Sequence, residues 1–259
     1  MYGCDVFLEE NRYKGVGVGA VLLIVGIVLI LLFFCFASLS ASFGYEAAKY
    51  AKNAVEVDAL IEKSKERFTV IIDAGHGGED PGAVVGEIKE KDLNLAVALK
   101  LKSFLSLADI NVIMTRETDV LLYGEGEERH KKMADLKNRL AIIEQTENCI
   151  FVSIHMNKFS DSRLTGLQTF YSGNDPKSAL LAQSVQSEAL LVDPSNHRKI
   201  KPENGTIFIL ENAYKPAILV ECGFLSTPSE AVKLTDENYQ NKLAFTLYSG
   251  IMKYEKENG

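Results

Sequence analysis

A single α/β domain with a mainly parallel sheet and helices on both faces, preceded by one transmembrane helix, is the fold this sequence predicts. Three observations carry it. Residues 15–36 hold no charge and are dominated by Val, Ile, Leu and Phe. From residue 67 onward, short β-branched apolar runs recur. Between most of them apolar residues return at helical spacing, and strands alternating with helices form a parallel sheet covered on both sides.

In chain order, residues 1–14 are a short polar N-terminal tail of mixed charge. The run at 15–37 is long enough to cross a bilayer as a helix, which takes ~20 apolar residues. It lacks the polar face that a core helix presents. Arg12 and Lys14 precede it, which favours a cytoplasmic N-terminus. The run exceeds the ~7–15-residue core of a cleavable signal, so an uncleaved signal anchor is expected. Ala37-Ser38-Leu39-Ser40-Ala41 would also suit cleavage, and either way the rest of the chain works outside the cytoplasm. Residues 38–66 read as a partly helical linker, with Ala47, Ala48, Ala51, Val55, Ala59 and Leu60 set among Lys and Glu.

The folded domain is expected over 67–259, a length that suits one domain. Strands are predicted at 69–73, 111–115, 149–154, 166–171, 206–210 and 217–221. Four helical faces are marked by Leu93, Val97, Leu101 and Phe104; by Met133, Leu136, Leu140 and Ile143; by Leu180, Leu181, Val185, Ala189 and Leu190; and by Leu243, Leu247 and Ile251. The formal charge of −7, without a basic stripe interleaved with aromatics, argues against a nucleic-acid partner. Four cysteines are too few for a disulfide scaffold and read as buried thiols.

Three of the predicted strands end in reactive side chains. Val70-Ile71-Ile72-Asp73-Ala74-Gly75-His76-Gly77-Gly78 closes on a histidine between glycines, which remove bulk and let another group approach the imidazole. Ile150-Phe151-Val152-Ser153-Ile154-His155-Met156-Asn157 repeats the pattern, and Ile218-Leu219-Val220-Glu221 repeats it with a carboxylate. Ligands of open α/β sheets bind at the carboxyl ends of the strands, so these groups are expected to converge. A carboxylate ending a buried strand is costly unless it is paired or near a metal. A structural salt bridge is the competing account of Glu221, and a satisfied core histidine that of His155. Glu90 opens the first helix after the glycine-rich loop and can fold back toward His76, whereas Glu87 and Asp92 read as ordinary helix-dipole residues. Two imidazoles and one carboxylate, with water in the fourth position, make a catalytic zinc site. A second carboxylate then moves the proton. Spacing does not say which glutamate plays which part.

The combination Asp73-Ala74-Gly75-His76-Gly77-Gly78, Glu90-Lys91-Asp92, Ser153-Ile154-His155-Met156-Asn157 and Val220-Glu221-Cys222-Gly223-Phe224-Leu225-Ser226 closely resembles the zinc-dependent N-acetylmuramoyl-L-alanine amidases. The resemblance covers residues 68–254. Within the family it is most similar to the germination-specific amidases of spore-forming bacteria, on the N-terminal anchor, the absence of wall-binding repeats, Ile113-Met114-Thr115-Arg116-Glu117-Thr118-Asp119, Ala134-Asp135-Leu136-Lys137-Asn138-Arg139 and Gly166-Leu167-Gln168-Thr169-Phe170-Tyr171-Ser172. It implies that His76, Glu90 and His155 bind Zn2+ and that Glu221 is the catalytic carboxylate. It further implies cleavage of the amide between the lactyl group of muramic acid and L-alanine of the peptidoglycan stem peptide. For the subtype it implies work on spore cortex, ahead of muramic-δ-lactam formation. Two departures stand out: Thr227 follows Ser226 where relatives have Asn, and Ala74 stands where many have Pro.

Weaker candidates complete the set. Asn157 suits a hydrogen bond to a ligand or to substrate, or a plain turn. Arg116 and Arg139 are expected to pair with carboxylates and hold the fold, with Arg116 also a candidate to touch a metal ligand or the substrate. His130 and His197 read as solvated, and the loops 123–129 and 194–205 are long enough to line a groove. Two other functions compete: a peptidoglycan-binding regulatory module that has lost catalysis, and a zinc peptidase that cuts within the stem peptide. An activator protein is a further partner the sequence leaves unnamed.

Overall fold

The computed structural model describes residues 17–66, 68–124, 126–127 and 129–258. The tail at 1–14, with Cys4, lies outside them. Two compact units divide the chain, Met1–Glu62 and Lys63–Gly259.

The first unit is built on helix α1 (Val18–Glu66). Within it, Val21–Ala54 is long and apolar enough to cross a membrane, and its most apolar 18-residue window has a mean hydropathy of 3.1 with none of that window buried. The linker expected to be partly helical is helical throughout. Its Ala, Lys and Glu are good helix formers, and no proline interrupts them. Cys35 is exposed on this helix, contrary to the expectation of a buried thiol, because α1 is the one element described in its unit and a single helix has no core of its own. Cys149 and Cys222, in the second unit, are buried and free as expected.

The second unit contains, in order, β1 (Thr69–Ala74), the short hairpin β2 (Val84–Val85) and β3 (Ile88–Lys89), α2 (Glu90–Leu107), β4 (Asn111–Met114), α3 (Lys131–Gln145) and β5 (Cys149–Asn157). It continues with β6 (Gln168–Tyr171), α4 (Lys177–Glu188), β7 (Lys201–Pro202), α5 (Phe208–Asn212), β8 (Ala217–Phe224), α6 (Pro228–Thr235) and α7 (Glu237–Asn258). Six strands form one sheet in the order β4-β1-β5-β8-β6-β7. β4, β1, β5 and β8 run parallel, while β6 is antiparallel to β8 and β7 runs parallel to β6. The mainly parallel sheet between helical layers is thus the architecture that the alternation predicted.

One predicted strand is wrong. Residues 206–210 start helix α5 instead. A short apolar run has no period that separates strand from helix. Two physical facts decide it. Glu203 accepts the backbone N–H groups of Thr206 and Ile207, which starts a helical turn. Beside β8, both neighbouring positions in the sheet are already filled, by β5 and β6.

Alternate residues along each strand face opposite layers. Val70, Ile72, Ile150, Val152, Ile154, Ile218 and Val220 join α2, α4 and α7 in the larger core. Ile71, Phe151, Ala217 and Leu219 join α3 and α5 in the smaller one. In the larger core α4 and α7 touch at a glycine: a Cβ added to Gly250 would lie 2.5 Å from the Cα of Val185. An ordinary helical Gly→Ala change stabilises, by ~1 kcal/mol. Here the neighbour is backbone and cannot yield. Gly250→Ala should therefore destabilise the protein by about 1–3 kcal/mol, read as a lower midpoint of urea unfolding; a raised midpoint would show that the two helices separate freely.

Candidate metal centre

The smaller-core face changes character along its strands. Register places Ile71 beside Phe151 and Ala217, then Asp73 beside Ser153 and Leu219, then His155 beside Glu221. The same inward-facing column therefore runs from apolar, through a buried polar rung, to the reactive pair at the carboxyl ends. β1 stops one rung earlier, at Ala74, and the chain turns out through Gly75 and His76. His76 has φ 61, left-handed backbone that a non-glycine residue seldom adopts. That turn swings its imidazole across to the ring of His155, with centroids 4.9 Å apart and planes at 75°.

Glu90 arrives from the opposite layer. It is the first residue of α2 and is buried. Its Oε1 lies 3.2 Å from His76 Nε2 and 2.9 Å from His155 Nδ1. Oε1 also accepts the Met156 N–H, and Oε2 accepts the Ala83 N–H, which fixes the carboxylate. One ligand atom from each of His76, Glu90 and His155 lies within 4.8 Å of the other two. Burial acts to raise the carboxyl of Glu90, but the two imidazoles outweigh it and hold it far below the usual range. Burial likewise acts to lower His76, and Glu90 and Asp80 reverse the sign.

The glycines make room for another group beside the imidazole, as expected. A Cβ on Gly75 would stand 2.2 Å from His155 Nε2, so the cleared space is filled by the second imidazole. A Cβ on Gly82 would meet Glu90 Oε2 at 2.5 Å and His76 Cδ2 at 2.6 Å.

Asp80 was not singled out from the sequence. Its Oδ2 takes the Nδ1–H of His76 at 2.9 Å, which leaves Nε2 facing Glu90. The usable signal was a carboxylate four residues after a histidine, which reads equally well as a turn residue. Asp73, at the polar rung, accepts Ser153 Oγ, Thr115 Oγ1 and Arg139 Nη1. Burial acts to raise its carboxyl, and Arg139 with the two hydroxyls holds it below the usual range. Arg139 is buried and paired with Asp73 and Asp135, as expected. Arg116 is buried too, but its guanidinium donates to main-chain carbonyls and, among the described residues, to no carboxylate, because the strand ends beside it leave the carbonyls of Ala74 and Gly75 without a strand partner. Asn157 ends β5, and its carbonyl accepts the N–H of Leu225. Glu87, Asp92, His130 and His197 are exposed. Thr227 donates to the Leu164 carbonyl, and Ala74 is buried at the end of β1; neither is among the clustered groups.

Glu221 stands beside the cluster. Its Oε2 is buried with no hydrogen-bond partner among the described residues. Burial pushes its carboxyl up to about 7. Next to it opens a cavity of about 280 Å³ whose walls include His155, Glu221, Ser153, Leu136 and Phe208. Residues 206–210 form one wall of that cavity.

The family described as N-acetylmuramoyl-L-alanine amidase matches residues 70–253. The germination-specific N-acetylmuramoyl-L-alanine amidase of Bacillus subtilis is 38% identical over 192 residues, 73% of this chain and 81% of that one. The solved CwlD amidase of Clostridioides difficile, in complex with the GerS lipoprotein, is 43% identical and superposes with a TM-score of 0.71, covering 74% of this chain and 100% of that one. The catalytic domain of CwlV from Bacillus (Paenibacillus) polymyxa is 32% identical, with a TM-score of 0.63 over 73% of this chain and 98% of that one.

The contact at Gly75 gives a direct test of the cluster. Gly75→Ala should drive the His155 ring off Glu90 and weaken zinc binding by roughly tenfold or more, with the far-ultraviolet circular dichroism retained. Unchanged affinity, measured by competition with a chelator, would mean that the ring is not needed where it stands.

Proposed function

Because the chain belongs to the N-acetylmuramoyl-L-alanine amidase family, we propose that it hydrolyses the amide joining the lactyl group of muramic acid to L-alanine of peptidoglycan stem peptides, with His76, Glu90 and His155 holding Zn2+ and Glu221 as the catalytic carboxylate. The observation that carries this reading is the convergence of three ligand atoms within 4.8 Å beside a carboxylate whose buried oxygen has no partner.

The donor set fits the metal. Two neutral imidazoles and one carboxylate suit zinc and leave a position for water or substrate. The Asp80 bond to Nδ1 selects the His76 tautomer whose Nε2 lone pair is free. Bound zinc would supply Lewis acidity, polarising the scissile carbonyl and acidifying water. The chain's own groups do the rest. Glu221, raised by burial, accepts the water proton and returns it to the departing amine nitrogen. The apolar walls of the neighbouring cavity exclude bulk water and strengthen the electrostatics around that transfer.

On this reading residues 15–37 anchor the protein in the membrane, 38–66 form a stalk, and 67–259 are the catalytic domain outside the cytoplasm. The spore cortex is the proposed site of action, on the likeness to the germination-specific relative. A lipoprotein partner, of the kind solved with the clostridial relative, belongs to the same proposal.

The test uses the full chain in detergent, loaded with zinc, on purified peptidoglycan with mass analysis of the products. Free stem peptides beginning with L-alanine are expected, and Glu221→Gln should lower the rate by about 10²–10⁴-fold with zinc still bound. Cleavage within the stem peptide, leaving L-alanine on the sugar, would make the protein a zinc peptidase. Zinc bound and peptidoglycan retained without release, even with a partner lipoprotein added, would favour the binding module. Metal removal supplies a separate prediction: a strong chelator should abolish release, and zinc added back should restore it; release that survives chelation would end the metal reading.

A further inference from the structure

Resting on that reading, we propose that Arg139 and Arg116 are positioning residues for the metal centre: their two buried guanidinium groups cap the three consecutive carbonyls of Ala74, Gly75 and His76 and so hold His76 where it faces Glu90 and His155.

The need arises from where the sheet stops. The last ladder position of β1 pairs Ala74 with Ile154, and the Gly75 N–H still reaches the Ile154 carbonyl. On the other side β4 ends at Met114, and Thr115 makes the final backbone bond, to Ile72. From there on, β1 has carbonyls and no strand to receive them. Buried carbonyls without partners are rarely tolerated. Arg116, the next residue along, continues the pairing with its side chain: Nε donates to Ala74 O at 2.8 Å and Nη2 to Gly75 O at 3.0 Å. Arg139 donates from Nη1 to Ala74 O at 3.0 Å and from Nη2 to His76 O at 2.9 Å.

Arg139 has no spare donor. Its remaining N–H groups go to Asp135, from Nε and Nη2, and to Asp73, from Nη1. All five N–H groups of the guanidinium are therefore engaged. Asp135 and Asp73 lock the fork from α3 and β1, and the fork in turn grips His76. The grip matters because His76 sits in left-handed backbone, which relaxes unless its surroundings over-determine it. Neither arginine is a ligand, and neither touches the proposed reacting atoms. Lysine keeps the charge but offers three rotatable donors instead of a planar fork, so it cannot reproduce the set.

Arg139→Lys and Arg116→Lys are compared with the parent chain and with Val185→Ala, a cavity where α4 meets α7 in the larger core, which lowers stability at a residue outside the clustered groups. Zinc affinity is measured by chelator competition, the visible absorption of the cobalt(II)-loaded chain reports ligand geometry, and the melting temperature of the metal-free chain reports stability. Both arginine variants should bind zinc at least roughly tenfold more weakly and shift the cobalt band, whereas Val185→Ala should lower the melting temperature and leave both metal readouts unchanged. Should Arg139→Lys fail to fold, Arg116→Lys is judged on the same criteria. Parental affinity and an unshifted cobalt band in the folded arginine variants would overturn the positioning role. So would equal losses in Val185→Ala, since the effect would then be general instability. A parent chain that binds neither metal would instead overturn the zinc reading on which this role depends.

Discussion

The ion pair between Asp73 and Arg139 is the interaction on which the rest of the site depends. Both side chains are 1% exposed, between an apolar core and a reactive edge. Stability alone does not account for it, because replacing a buried ion pair with well-packed apolar residues is often neutral or favourable by about 1–4 kcal/mol. Its geometry does account for it. Asp73 is the last inward-facing residue of β1 before the strand ends, and Arg139 bridges from it to the carbonyls that leave the sheet. The hydroxyls of Ser153 and Thr115 add two more hydrogen bonds, so both oxygens of the buried carboxylate have a partner. The result is a polar floor on which the exposed end of the site is built.

Above that floor the arrangement follows from strand parity. Ile71 and Asp73 share a face; so do Phe151, Ser153 and His155, and so do Leu219 and Glu221. Parallel register aligns these columns, and each becomes more polar toward its carboxyl end. The opposite face stays apolar to the last residue and carries α2, whose first residue is Glu90. A helix bound to one face can thus deliver a carboxylate over the end of the sheet to histidines that belong to the other. The site is a junction of both layers, which explains why no single strand or loop contains it.

This division also explains what could be read from the sequence. Strands β1, β5 and β8 were legible because each is a continuous apolar run closed by an ionisable residue, and such runs in parallel sheets need no alternation to be seen. Glu90 was legible from its place at a helix start after the glycine loop. Asp80 and Asp73 were not, because their roles depend on partners far along the chain or across a turn: Asp73 bonds to Arg139, Thr115 and Ser153, all more than 40 residues away. The helical turn at α5 was hidden for a related reason. The run Thr206-Ile207-Phe208-Ile209-Leu210 favours a strand locally, and only the capping carboxylate of Glu203 and the occupied flanks of β8 decide otherwise. Local pattern set the elements; competition for sheet positions and hydrogen-bond partners set the rest.

On the proposed reading, Glu221 is the residue whose surroundings suit an enzyme better than a binding scaffold. An unpaired buried polar atom costs about 1–3 kcal/mol, more when charged. The other buried carboxylates avoid that cost: Glu230 accepts the Gly166 and Phe224 N–H groups, Asp135 takes Arg139 and the Leu122 N–H, and Glu90 meets both histidines. Glu203 also has one buried unpaired oxygen, but its other oxygen caps two N–H groups at the start of α5, so its role is structural. Glu221 has no such duty for Oε2, and it stands in register with His155 at the mouth of the cavity. A protein that only bound its ligand would gain from a glutamine or an apolar residue there. In the proposed role that oxygen takes and releases a proton, which would balance the penalty, since the same burial that leaves it unpaired lifts its carboxyl to about 7.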